Sequence, residues 1–268
     1  MNKKIGFIGC GNMGGALAIA AKNSIGGSNV YVSDADTEKA ESFAKSNDVN
    51  VISVEDVARN CDYIFLGVKP QVLRLVCGDL EEIFKSRKDR FIIVSMAAGV
   101  NLNDLQEMCG GKYPIIRIMP NIPASVGAGM ILYTGNQFVS DEDFNEFTTI
   151  LEKAGMLDKI EETKIDAASA ISGCGPAFVF MFVEALADGG VKCGLPRDKA
   201  LLYAAETLFG ASKMVLDTNE HPGKLKDAVC SPAGSTIEGV TALENGSFRA
   251  DVINAVSKSY KRTVELGK

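Results

Sequence analysis

The sequence predicts two domains: a doubly wound α/β domain over residues 1–160 and an all-α domain over residues 161–268. Three observations carry this prediction. Short apolar runs of strand length alternate with segments of helical spacing through the first part of the chain. The first run leads through a glycine-rich turn, Gly9-Cys10-Gly11-Asn12-Met13-Gly14, into an alanine-rich segment. After about residue 160 the strand signals stop, and long apolar segments with helical periodicity follow.

Lys4 to Ile8 is a short apolar run with a β-branched bias, which reads as a strand. Asn29 to Ser33 is a second strand, and Asp34 follows it directly. Tyr63 to Val68 (YIFLGV) and Phe91 to Ser95 (FIIVS) are continuous apolar runs, and Ile115 to Met119 and Ala128 to Tyr133 supply further strands. Between residues 71 and 84, Val72, Leu73, Val76, Leu80 and Ile83 fall at helical spacing. Strands that are apolar throughout, rather than alternating, belong in a sheet covered by helices on both faces.

In the second half, Gly175-Pro176 precedes AFVFMFV, a run that is apolar on all sides. Pro176 suits the first turn of a helix, where its missing N–H costs nothing. A helix apolar all round must be buried, in a core or against another subunit. The segment from Arg197 to Asp217 carries the pairs Leu201/Leu202, Leu208/Phe209 and Val215/Leu216 along one stripe, and the last helix repeats the pattern with Ile253, Val256, Tyr260 and Val264. So much apolar surface on so few residues predicts an interlocked homodimer.

Composition narrows the function classes. Hydrophobic residues make up 46% of the 268 and charged residues 23%, an ordinary globular mixture that excludes disordered and collagen-like chains. The balance of 28 Lys+Arg against 34 Asp+Glu, net −6 with no long basic run, argues against nucleic acid or an anionic membrane as partner. No apolar stretch approaches the ~20 residues of a bilayer span; the longest candidate, Ala177 to Val183, ends at Glu184. The N-terminus turns glycine-rich before a signal-peptide core can form. Seven scattered cysteines without a CxxC pair, and a single histidine, argue against a disulfide framework and a zinc site. Reduced thiols and a cytoplasmic location are expected, with no metal.

A GxGxxG turn between a strand and a helix, with an acidic residue about 20 positions on, is the fingerprint of a Rossmann dinucleotide-binding unit. Gly9 permits the tight turn, Gly11 lets the backbone approach a pyrophosphate, and Gly14 lets helix and strand pack closely. The free N–H groups and positive end of the helix then face the phosphates. Asp34 stands where a carboxylate bonds the ribose 2′-hydroxyl, which favours NADH; Ser33, Thr37 and Lys39 would instead bind a 2′-phosphate if Asp34 turned outward. NADH and NADPH therefore both stay open. Lys69-Pro70 and Met96-Ala97-Ala98-Gly99 follow strands, at the carboxyl ends where such folds bind ligands, and Lys69 faces either cofactor or solvent.

A second anion site is predicted in the helical half. Ser235 and Glu238 have the spacing of a capping box, which starts a helix near Thr236, and Gly246 is placed to end it in a left-handed conformation. The small residues Ser231-Pro232-Ala233-Gly234 ahead of it leave the helix amides open to a carboxylate or phosphate. His221, in an HPG turn, reads as structural.

The stretches GFIGCGNMGGA, GVKPQ, SMAAGV, RIMPNIPASVGAG, SGCGPAFVF, EALADGGVKCGLPR and HPGKLKDAVCSPAGSTIEG run nearly end to end, and with them the chain resembles the pyrroline-5-carboxylate reductases. That resemblance implies a Rossmann domain, a helical dimerisation domain and dimers that assemble further into decamers, as a pentamer of dimers. It implies hydride transfer from NADPH or NADH to the cyclic imine pyrroline-5-carboxylate, giving L-proline. It places the substrate carboxylate on Ser231, Gly234, Ser235 and Thr236, and the cofactor on Gly9, Gly11, Asn12, Met13, Gly14, Ser33, Asp34, Val68, Lys69 and Ala97. Thr236 is the candidate catalytic residue, with its hydroxyl near the ring nitrogen or its backbone N–H alone engaged. Ala233 stands where a glycine is common, a change tolerated if φ there is negative. Two rivals share features with the chain. A β-hydroxyacid dehydrogenase has the same opening but needs a catalytic lysine where Val179 stands. A non-catalytic NAD(P)-binding sensor would be free to lose the substrate loop, which is intact.

Overall fold

The computed structural model describes residues 3–266 and divides them into two units. One runs through Cys174 and takes up the chain again from Ser259; the other is Gly175–Lys258.

The first unit alternates strand and helix: β1 (Ile5–Ile8), α1 (Asn12–Ile25), β2 (Val30–Ser33), α2 (Thr37–Asn47), β3 (Asn50–Val51), α3 (Val54–Asn60), β4 (Tyr63–Leu66), α4 (Pro70–Ser86), β5 (Ile92–Ser95), α5 (Leu102–Met108), β6 (Ile115–Met119), β7 (Gly129–Gly135), α6 (Asp141–Ile150), β8 (Gly155–Lys159) and α7 (Glu162–Ser172). The sheet order is β3-β2-β1-β4-β5-β6-β7-β8, parallel except for the β6–β7 pair. The chain winds outward from β1 through β2 to β3, then crosses to β4 on the other side of β1. That reversal makes the carboxyl ends of β1 and β4 the switch point where open α/β sheets bind ligands.

The continuous apolar strands are buried on both faces, as predicted. Tyr63 and Phe65 of β4 join Phe7, Val94 and Ile118 in one core layer. Ile64 and Leu66, the alternate residues, join Leu73, Leu80 and Phe84 in the other. Strands β3 and β8 were not anticipated. Asn50–Val51 is too short and polar to stand out, and Gly155–Lys159 (GMLDK) mixes signs and lies at the sheet edge.

The second unit contains α8 (Gly175–Lys192), α9 (Arg197–Thr218), α10 (Pro222–Val229), α11 (Ser235–Asn245) and the first part of α12 (Phe248–Leu266). Its buried core is small: Ala187, Ala200 and Ala204, with Val183 and Val191 packed beside them. Small side chains let α8 and α9 approach closely but leave large ones outside. Phe180, Met181, Phe209 and Leu216 are each more than half exposed. The predicted stripe on α9 therefore exists but faces outward within one chain.

The stretch Glu162–Lys192 is long and apolar enough, by length and composition, to cross a membrane. This corrects the expectation that no stretch approaches that length. A count of consecutive apolar residues stops at Glu184, whereas the average over a longer segment stays apolar despite that charge.

Candidate active site

The turn after β1 is built by close backbone contacts. Gly9 has φ +99°, and its N–H donates to the Ser33 carbonyl at 2.7 Å. The Gly67 N–H, just beyond β4, donates to the Ile8 carbonyl at 2.8 Å. A Cβ on Gly14 would stand 2.0 Å from the Gly9 carbonyl oxygen, so only glycine lets α1 start this close to β1. Gly11 differs: a Cβ there would meet nothing within 4 Å, and no side chain caps α1 at this residue. The first-turn amides of α1 thus face open space, the arrangement that accepts a pyrophosphate.

That space belongs to a cleft of about 450 Å³ at the switch point. Of the residues singled out in the sequence, Gly9, Gly11, Asn12, Met13, Asp34, Val68 and Lys69 line it. Lys69 is exposed and precedes Pro70 at the start of α4. Gly14, Ser33 and Ala97 are buried rather than lining. Gly14 and Ser33 shape the turn from behind, and Ala97 packs in the core layer with Leu73 and Leu105. The cleft also recruits Gly67, Val54, Val72 and Val76. Gly67 was legible as a glycine following YIFL; the valines come from two helices whose meeting no local pattern specifies.

Asp34 does not turn outward. Its Oδ2 accepts from the Cys10 N–H at 2.9 Å and from Lys39 Nζ at 2.9 Å, and its Oδ1 accepts from the Asp36 N–H at 3.2 Å. Burial works against the charge, but the hydrogen bonds from Lys39, Cys10 and Asp36 outweigh it and hold the carboxyl below its usual range. The Cys10 thiol is pushed up to about 11 by burial and by the neighbouring carboxylate, so it stays neutral.

In the helical unit, α11 begins at Ser235, and Gly234 is its N-cap with no side-chain cap bond. The expected Ser235–Glu238 capping box is therefore absent. The physical reason is the turn ahead of it: the Gly234 N–H donates to the Ser231 carbonyl at 3.0 Å, and a Cβ on residue 234 would stand 2.3 Å from Ser231 Oγ. Gly234 thus takes the cap, and Ser235 falls in the first helical position. A capping box does form elsewhere, at Ser140 and Asp143 of α6. Ala233 has φ +56°, which contradicts the negative φ that would make alanine tolerable there. Gly246 follows α11 with φ −82°, not left-handed; Ser247, at φ +62°, takes that conformation instead. Without a cap the first-turn amides of α11 have no side-chain acceptor. Ser231 and Ser235 are exposed beside them, and Thr236 is half-buried. His221 caps α10, its Nδ1 accepting from the Gly223 N–H at 3.0 Å.

A glycine cradle at the switch point of a doubly wound sheet, with an ionised aspartate after β2, defines a Rossmann-type dinucleotide-binding protein. Residues 4–99 match the family model described as NADP oxidoreductase, coenzyme F420-dependent, and residues 162–266 match the one described as pyrroline-5-carboxylate reductase dimerisation. The chain is 42% identical to the pyrroline-5-carboxylate reductase of Escherichia coli, covering 100% of both. It is 40% identical to that of Arabidopsis thaliana, covering 99% of this chain and 96% of the relative. The crystal structure of pyrroline carboxylate reductase from Plasmodium falciparum with NADP bound superposes with a TM-score of 0.87 at 34% identity, covering 100% of this chain and 99% of that one. A pyrroline-5-carboxylate reductase structure from Coxiella burnetii gives 0.90 at 30% identity over the whole of both chains. The chain belongs to the pyrroline-5-carboxylate reductase family.

Proposed function

We infer that the protein reduces 1-pyrroline-5-carboxylate to L-proline with NADPH or NADH, the last step of proline biosynthesis. One observation carries the reading. In a chain that matches these reductases end to end, the switch-point cleft leaves open space at Gly11 where any side chain would block a pyrophosphate. Residues 1–160 form the cofactor domain, and residues 161–268 form the substrate-binding and dimerisation domain.

The residue inventory suits the chemistry. A ring imine accepts hydride best when protonated, and it is basic enough to carry that proton itself. The bound nicotinamide supplies the hydride. The protein's task is then orientation, which lowers a barrier by about 7–11 kcal/mol at best. Gly9, Gly11, Asn12, Met13 and Gly14 hold the pyrophosphate, Ser33 and Asp34 the adenosine ribose, and Val68, Lys69 and Ala97 the remaining length of the cofactor. Ser231, Gly234, Ser235 and Thr236 hold the substrate carboxylate through the uncapped amides of α11 and the hydroxyls beside them. The Thr236 hydroxyl bonds the ring nitrogen. Replacing it should lower kcat by about tenfold or more, the range of a lost proton-relay partner; a Thr236→Ala variant that turns over pyrroline-5-carboxylate at the original rate refutes this role.

The reductase is a homodimer, assembled further as a pentamer of dimers, in the cytoplasm, and needs no nucleic acid, membrane or metal. The exposed Phe180, Met181, Phe209 and Leu216 support association through the helical unit, which falls within the match to the dimerisation model.

A further inference from the structure

Arg117 lies on β6 with its side chain 3% exposed, and its charge is met from α7. Its Nη1 donates to Glu162 Oε1 at 3.4 Å and its Nη2 to Asp166 Oδ1 at 2.8 Å. Its Nε, also buried, has no hydrogen-bond partner among the described residues. A buried ion pair with an unmet donor is a poor source of stability, because apolar side chains of similar volume avoid the desolvation cost. What the pair fixes accounts for it better. The Glu162 oxygen that faces Arg117 also accepts from the Leu102 N–H, at 2.7 Å. Leu102 opens α5, so this N–H is one of the donors that a helix leaves without an internal partner.

In the sheet Arg117 pairs with Ser95, the last residue of β5. The β5–α5 loop, residues 96–101, leaves from Ser95 and arrives at Leu102, so its two ends are joined through Arg117 and Glu162. At the near end Ser95 Oγ accepts from the Ala97 N–H at 3.3 Å. Val100 and Leu102 pack in the core layer with Leu73 and Leu105, but apolar contact has no direction. The bond to Glu162 does, and it aims the backbone where the loop enters α5. We propose that Arg117 is a positioning residue for the reaction: by holding Glu162 on the Leu102 amide, it fixes the loop that carries Ala97, and with it the nicotinamide half of the cofactor. The proposal rests on the reading that the cleft holds a nicotinamide dinucleotide with Ala97 along its length.

The pyrophosphate and adenosine ribose belong to other elements, the turn after β1 and the segment after β2, so a loosened β5–α5 loop should be felt at one end of the cofactor only. The test compares NADH with ADP-ribose, which lacks the nicotinamide, in calorimetric titrations of the full-length protein, with thermal unfolding as a check on folding. Arg117→Met should weaken NADH by about tenfold, leave ADP-ribose within about twofold, and lower kcat by a larger factor than it raises KM for pyrroline-5-carboxylate. Arg117→Lys, which keeps a charge for Glu162, should recover most of the loss. Glu162→Ala, at a side chain 31% exposed, removes the acceptor of the Leu102 N–H without opening the core, and should give the same split even if Arg117→Met does not fold. Equal weakening of NADH and ADP-ribose in a folded variant, or no change in either, overturns the proposal. Failure of the wild type to bind either ligand overturns the dinucleotide reading itself, which separates the two failures.

Discussion

Gly11 and Gly14 belong to one motif yet should fail in opposite ways when replaced by alanine. At residue 14 the new Cβ would lie 2.0 Å from the Gly9 carbonyl oxygen, well inside the 3.4 Å at which ordinary contact begins. The opposing atom is backbone, so α1 must shift away from β1 by more than an ångström. Overpacking of this kind costs about 1–3 kcal/mol or more, and alanine's better helix propensity returns about 1 kcal/mol. A net loss of about 1–2 kcal/mol lowers Tm by roughly 2–8 °C in a protein of this size. At residue 11 the new Cβ meets nothing, and the backbone, at φ −67° and ψ −168°, is open to any L-residue. Stability should change by less than about 1 kcal/mol, because a slightly poorer N-cap is offset by a stiffer unfolded chain. Cofactor affinity should fall by about tenfold or more, since the methyl group stands where the pyrophosphate approaches. Thermal unfolding without cofactor, followed by a nucleotide titration, separates the two effects. A Gly11→Ala variant with wild-type cofactor affinity, or a Gly14→Ala variant with an unchanged Tm, would show that the two glycines do not divide the work this way.

Ala233→Gly relieves a left-handed backbone at φ +56° and should raise stability by up to about 1 kcal/mol once the greater unfolded-state entropy of glycine is subtracted; a lower midpoint in urea would contradict this. Asp143 is buried, and although burial opposes its charge, hydrogen bonds from Arg90 and Ser140 hold its carboxyl below the usual range. Its contribution is therefore fully present well above pH ~4, the unfolded aspartate value, and is lost as pH falls toward the folded-state value. Asp143→Asn should destabilise at pH 7 and flatten the decline of stability below pH ~4; parallel pH profiles for the two proteins would count against the pairing with Arg90. Phe209, 63% exposed in a single chain, should lie in the subunit contact, so Phe209→Glu should sediment at lower mass than the wild type, and a monomeric wild type would refute the interface.

Much of the fold was legible because its determinants are local. Tyr63–Leu66 and Ile92–Val94 are apolar at every position, as strands of a sheet covered on both faces are. Gly9, Gly11 and Gly14 follow a strand at fixed spacing, and steric exclusion at such a turn depends on the neighbouring few residues. The start of α11 was misplaced because a helix cap depends on how the preceding turn closes. The Gly234 N–H closes a turn onto the Ser231 carbonyl and Gly234 becomes the cap, so Ser235 lies inside the helix. Ala233 carried no sign of its φ, since alanine's composition signal is indifferent to backbone handedness.

From its sequence alone this protein had its strand and helix types, its phosphate turn and its family pattern determined, since each is a property of neighbours along the chain. Tertiary structure alone decided that Val54, Val72 and Val76 share one cleft with Gly11, that Asp34 points inward to Cys10 and Lys39, and that the apolar stripe of α9 stays exposed within one chain. Those outcomes depend on which distant segments meet within each unit, and packing between remote segments leaves no fixed spacing in a sequence.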